Sequence, residues 1–385
     1  MDRFWWQIPG PNRFVSEIVQ DLLDGKNVIL CLPEHMPDGL SRAIRSELGE
    51  DWDWQTLSLR QEDGTDPVHL LFDRFVGEIS PTEIRNARVL AEHEDFAGKM
   101  IWLDDLTPSI WPAWKKFISD YEQPCRCVSK LERTVFCVPL SGDLALDPPS
   151  EDVCVSHQSW RGAIDRLDIL LFTAHLFQSN RSNSKRLSDL QKQVAISVTA
   201  NLALWDPKVS EQFADENLEN ILSPVPILQE IAKKRAWTDE MIPSESLWHK
   251  GMKDTLDGVD GEEKIHSAAL ALTNSHREID RRIWSAQVGV MLPFVEERRQ
   301  ELLESLKGKL EVPFQTDFGA IEDMRDLEIG HIEYQISNNG AMVNREIQQL
   351  VSRLKKIRNL LSHLEPIPPE LLLCREIRDW RRILT

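Results

Sequence analysis

The sequence predicts an α/β domain built on a parallel sheet, followed by a mainly α-helical region. Three apolar runs carry the first half of that expectation. Asn27-Val-Ile-Leu-Cys-Leu32, Met100-Ile-Trp-Leu103 and Arg133-Thr-Val-Phe-Cys-Val138 are nearly continuous, the pattern of strands covered on both faces. Helical patterns lie between them, and strand and helix alternating in this way argue for parallel pairing. The second half rests on the chain beyond residue 153, where strand patterns nearly vanish and 3.6-residue apolar periodicity takes over.

Taken in order, residues 14–23 form an amphipathic helix, with Gly25 placed to serve as its C′ residue. The first strand, 27–32, runs into a loop at 33–37 and a helix over 39–48. Residues 54–59 alternate as a strand does, and 68–75 and 81–92 read as helices. The second buried strand ends in Asp104-Asp105, residues 110–121 are helical, and the third buried strand completes a domain set at residues 1–145. Residues 141–152 are polar and proline-bearing, the composition of a linker. A helical region over 153–260 comes next, with helices at 159–177, 187–204, 208–217 and 227–236 and a mixed stretch from 237. The last region, 261–385, opens with a long helical pattern over 262–292. Pro293 is expected to kink or restart it before it continues to 310. A non-helical break at 312–319, helices at 324–336 and 343–362, and a short helix within 369–384 complete the chain.

A chain of 385 residues suits two or more domains, and 41% hydrophobic with 28% charged residues is ordinary for a soluble globular protein. No apolar run approaches the ~18–20 residues of a membrane span. The start, Met1-Asp2-Arg3-Phe4-Trp5-Trp6, lacks the basic segment and apolar core of a signal peptide. No membrane association and a cytoplasmic location are therefore expected. Of six cysteines only Cys125-Arg126-Cys127 is closely spaced. One Cys-x-Cys without a second pair is a poor zinc pattern, so reduced core thiols are expected, with neither metal nor cofactor. The thirteen tryptophans read as core or interface anchors. A net charge of −18 excludes nucleic-acid binding over the whole surface. The charge is uneven, however: residues 341–385 carry nine Lys/Arg against five acids, a net of +4.

That basic tract surrounds one motif. Ile357-Arg358-Asn359-Leu360-Leu361-Ser362-His363-Leu364-Glu365-Pro366-Ile367 closes the helix expected over 343–362, and Pro366, Pro368 and Pro369 stop it. Arginine is a permanent cation suited to phosphate, and histidine can exchange a proton near neutral pH. Five residues of helix separate the two by about 7.5 Å of rise and roughly 140° of rotation. They converge on one cleft if the last turn unwinds before the prolines.

Arg-Asn-x-x-x-His followed by Glu-Pro-Ile resembles the signature of the HEPN superfamily. These are small helical domains, many of them metal-independent ribonucleases of toxin–antitoxin and phage-defence systems. Arg358, Asn359 and His363 match the pattern position by position. The resemblance implies that residues 261–385 form a HEPN-like helical bundle acting on RNA in a bacterial defence or conflict system. It also implies a homodimer with the site built across it. His363 would be the general base toward a ribose 2′-hydroxyl, Arg358 would hold the scissile phosphate, and Asn359 would orient the phosphate or His363. His331, beside Glu333, is a candidate to support His363. Some relatives are inactive, so a non-catalytic adaptor that dimerises through the bundle is the alternative.

The first domain resembles a P-loop NTPase: a strand leading into a loop and helix, a second ending in an acidic pair like a Walker B motif, and a third like a sensor strand. It departs from that family at the phosphate loop. Leu32-Pro-Glu-His-Met-Pro-Asp-Gly39-Leu-Ser-Arg42 has one glycine and no lysine, and Gly25-Lys26 lies before the strand instead of after it. Wrapping phosphate needs glycines that free backbone N–H groups and a lysine that neutralises charge. The domain is therefore expected to be a degenerate P-loop fold that docks a protein partner. Asp104 and Asp105 would then cap a loop.

Overall fold

The computed structural model describes residues 3–60, 62, 64–77, 84–180, 187–242, 247–273, 276–317, 319–338 and 343–384. The chain forms two compact units, Met1–Asp168 with Glu240–His266, and Ile169–Asp239 with Ser267–Thr385. The first is a parallel α/β unit and the second is mostly helical.

Five strands, β1 (Asn27–Leu32), β2 (Asp53–Ser58), β3 (Lys99–Asp104), β4 (Val135–Ser141) and β5 (Val155–Ser159), form one sheet in the order β2-β3-β4-β1-β5. Every pairing is parallel, with Val28 opposite Cys137 and Ser156 on its two sides. The three apolar runs are β1, β3 and β4, the inner strands, as their unbroken hydrophobicity requires. Helix α1 (Pro9–Leu23) starts with proline at its first position and ends in a Schellman turn. There Gly25 takes φ +74°, and the Lys26 N–H donates to the Asp21 carbonyl at 3.1 Å. Helix α2 (Leu40–Leu48) comes after β1, and helix α3 (Trp111–Cys127) joins β3 to β4. Between β2 and β3 the chain makes the short helix Pro67–Leu71, a π-helical turn at Phe72–Val76 and the helix Ala87–Ala91. The start of the helix expected at 81–92 lies outside the described residues. One side of the core is aromatic: Phe96, Trp114, Phe117 and Tyr121 all lean on Phe136, with centroids 5.5–6.4 Å apart. The tryptophans serve in the core too, with Trp5, Trp114 and Trp160 fully buried.

The expected linker at 141–152 is not one. It makes a 3-10 turn at Gly142–Leu146 and returns the chain to the sheet as β5, on the far side of β1. The sequence hides this strand because Val155-Ser156-His157-Gln158-Ser159 is polar. It is an edge strand, and only Val155 is buried. Residues Lys253–Thr255 and Glu263–Ile265 also read as loop or helix, but they pair as a small antiparallel hairpin in the first unit.

In the helical unit α4 (Asp189–Ala203) packs along α5 (Arg277–Ser305), and the Ser197 hydroxyl donates to the Ala286 carbonyl at 3.1 Å. Pro293, expected to kink or restart the helix, does not restart it: α5 is one helix that runs through the proline. Proline removes one backbone donor, and packing on neighbouring helices outweighs that loss. The non-helical break holds a tight hairpin, Phe314–Thr316 with Gly319–Ile321. Helix α6 (Ile329–Asn338) then packs on α7 (Arg345–Ser362), which also packs on α5. Three short helices, Pro369–Leu372, Arg375–Arg378 and Trp380–Leu384, close the chain where one was expected. Among the described residues no helix is long and apolar enough to cross a membrane.

Candidate functional site at the carboxyl end of α7

Helix α7 buries Leu350, Val351, Leu354, Ile357 and Leu361 and leaves its polar face open. Its last turn does not unwind. The helix stays regular to Ser362, and His363 is the C-cap residue, its N–H donating to the Asn359 and Leu360 carbonyls at 3.0 and 3.1 Å. Leu364 comes next in the left-handed region, φ +62°, and the Glu365 N–H donates back to the Leu360 carbonyl at 3.0 Å, completing a Schellman turn. Two side chains of α5 hold this turn. Trp284 Nε1 donates to the Leu361 carbonyl at 2.8 Å. The buried Gln287 amide donates to the Ile367 carbonyl at 3.0 Å and accepts from its N–H at 2.6 Å.

Because the helix stays regular, Arg358 and His363 remain on different faces. Asn359 and His363 line an open groove of about 320 Å³ with Ser352, Lys355 and Lys356. Spacings of three and four residues put these five on one helical stripe. Among the described residues neither the Asn359 nor the His363 side chain makes a hydrogen bond, and Lys356 has no ion partner. Lys355 Nζ pairs with Glu333 at 2.6 Å. Glu333 and Glu365 are the acids of the groove.

Arg358 is not among the groove's lining residues. Its Nη2 donates to Glu328 Oε2 at 2.9 Å, with the two side chains 43% and 59% exposed. Glu328 sits just before α6, at the end of a loop braced by Arg299, which donates to the Arg325 and Leu327 carbonyls at 2.8 Å each. A hydrogen bond to Glu296 holds the Arg299 guanidinium above its ordinary pKa. His331 does not support His363. Its Nδ1 accepts from the Glu328 N–H at 3.1 Å, and its ring lies against Phe314, centroids 5.4 Å apart. Sequence reasoning missed Ser352, Lys355, Lys356 and Glu328. The first three were legible from their helical spacing to His363, whereas Glu328 comes from another part of the chain entirely.

The α/β unit has a crevice of about 460 Å³ at the carboxyl ends of its strands, the usual ligand position of an open α/β sheet. Asp38, Asp104 and Asp105 line it, and no lysine or arginine does so among the described residues. Asp105 takes φ +59° and accepts from the Ser58 hydroxyl at 3.1 Å. A phosphate there would meet like charge. The six cysteines are free thiols. Cys125 is buried, which with Cys154 beside it pushes its thiol up to about 12, while Cys127 is exposed.

No protein-family model matches the chain, and no characterised protein matches it in sequence.

Proposed function

We propose that the protein is a metal-independent endoribonuclease whose groove on α7 carries the reacting groups. The observation that supports this best is the polar stripe: Asn359 and His363 face one open groove with two lysines, and among the described residues neither side chain makes a hydrogen bond. In this reading His363 takes the proton from a ribose 2′-hydroxyl, and the freed oxygen attacks the adjacent phosphorus. The bond to the 5′-oxygen breaks and that oxygen takes a proton from water, leaving a 2′,3′-cyclic phosphate and a 5′-hydroxyl, while His363 returns its proton to solvent. Lys355 and Lys356 hold flanking phosphates, and Asn359 orients the scissile one. Arg358 lies off the groove of its own chain, so the reading takes the guanidinium from a second copy.

Purified protein incubated with total RNA in EDTA tests this. His363→Ala should lower cleavage by ~10²–10⁴. Arg358→Ala should do the same, and Arg358→Lys should not fully restore it, because a point charge lacks the planar fork. Mixing the His363→Ala and Arg358→Ala proteins should recover activity, since one composite site of each mixed dimer is intact. Cleavage that is equal in wild type and His363→Ala, or absent from both, removes the enzymatic reading.

The Arg358–Glu328 pair favours a second reading, in which the bundle is a non-catalytic dimerisation module of an adaptor. Under it Arg358→Ala and His363→Ala weaken self-association, and wild-type protein cleaves no RNA.

A further inference from the structure

A second pocket of the helical unit, about 430 Å³, lies between the start of α4, the middle of α5 and the last two short helices. Four arginines line it, Arg298, Arg378, Arg381 and Arg382, against two aspartates, Asp189 and Asp379. Three observations give this pocket the chemistry of an anion site.

The first is the mouth of α4. Ser188 and Gln191 form a capping box, each side chain accepting the other's backbone N–H. That leaves the first two helical residues, Asp189 and Leu190, whose N–H groups make no hydrogen bond among the described residues and which both line the pocket. First-turn amides at the positive end of a long helix are a ready acceptor site for phosphate.

The second is Arg298. It is 7% exposed, yet it lines the pocket. Its guanidinium stacks over the Trp380 ring at 3.5 Å, and Nη2 donates to Glu301 at 2.8 Å and Glu297 at 3.2 Å. Its Nε is buried and has no partner among the described residues. This fixed guanidinium sets a positive charge in the wall of the pocket.

The third is the exchangeable state of the rim. Arg378 pairs with its neighbour Asp379 at 3.0 Å, and Arg382 with Glu346 at 3.0 Å, with both guanidinium groups exposed. Exposed pairs of this kind are weak, so both forks can turn to a ligand. Arginine forks match phosphate oxygens two at a time. Arg298 already covers a face of Trp380, so the pocket is built around charge and not as a stacking platform for a base.

We propose that this pocket binds a terminal phosphate or pyrophosphate group, carried by a small molecule or by an RNA 5′ end. The proposal does not depend on the ribonuclease reading.

Calorimetric titration of the full chain tests it with three probes: sodium pyrophosphate, a short 5′-phosphorylated RNA, and the same RNA with a 5′-hydroxyl. Saturable binding is expected for pyrophosphate, for the 5′-phosphorylated RNA, or for both, the pattern telling which source the site serves. Replacing Arg378 and Arg381 together by Ala should weaken that binding by roughly tenfold or more, the loss of one charge-assisted contact at least. Both positions are exposed, and an unchanged melting temperature checks that the fold is intact. Three results overturn the proposal: no saturable binding of either phosphate probe up to millimolar concentration, equal affinity in wild type and the double variant, or, with pyrophosphate unbound, 5′-hydroxyl RNA binding as tightly as 5′-phosphorylated RNA.

Discussion

Gly25 and Leu364 hold the same left-handed position in two Schellman turns, φ +74° and +62°, but only the first is the residue that such a turn prefers. A β-carbon in this region costs about 1–2 kcal/mol. Leu364 is 67% exposed, so little burial offsets that cost. Leu364→Gly should raise stability by about 1 kcal/mol in chemical denaturation. At Gly25 the outcome should be opposite: an added Cβ would meet the Arg133 side chain at 3.1 Å, and Gly25→Ala should destabilise.

Asp254 offers a pH test at the same scale. Its carboxylate is 3% exposed, and Oδ1 accepts from the N–H groups of Gly162 at 3.0 Å and Thr255 at 2.8 Å. Burial pushes its pKa up to about 7, against the lowering pull of those two bonds and of Arg161. Between about pH 4 and 7 the folded protein thus keeps a proton that the unfolded chain releases, so this group makes stability fall as pH rises. The effect is on the order of 2–4 kcal/mol across that window. Asp254→Asn keeps an oxygen for both N–H groups and removes the titration. Thermal melts at pH 5 and pH 8 should show a smaller difference in the variant than in wild type.

At the scale of elements, β1 shows how one polar residue fixes a strand among apolar ones. Asn27 is fully buried at its start. Its amide donates to the Cys154 carbonyl at 3.1 Å and accepts from the Phe136 N–H at 3.0 Å, bridging the strands on either side. Asn27→Ala would leave the Phe136 N–H buried and unpaired. A loss of about 1–3 kcal/mol in urea unfolding is expected. A loss well below that range would mean that water or a backbone shift satisfies the group.

For the molecule as a whole, the ribonuclease proposal meets a net charge of −18, under which any RNA contact would be confined to local basic ground. If Lys355, Lys356 and Arg358 are the phosphate contacts, log K against log salt should have a slope of about −2 for single-stranded RNA, and replacing both lysines by Ala should reduce it to about −0.7. A much steeper wild-type slope would place the main contacts elsewhere, the arginine pocket being the next basic ground to test.

The sequence by itself determined β1, β3 and β4, because a strand buried on both faces must be apolar throughout. It determined the ends of α1 and α7, because Gly25 and the prolines from Pro366 onward leave few backbone choices. It brought Arg358 and His363 into view as a pair closing an amphipathic helix, with Asn359 added by the resemblance. Only the tertiary structure decided the rest. The strand β5 is polar because it lies at an edge, and its place in the sheet comes from its pairing with β1, not from its own composition. Helix α5 survives Pro293 because neighbouring helices hold it. Arg358 turns away from His363 because the last turn of α7 stays helical, pinned by Trp284 and Gln287, and because Glu328, thirty residues earlier, meets its guanidinium. Long-range partners of this kind leave no local periodicity, so a reading based on spacing could place the two residues on α7 but not say which neighbours each would face.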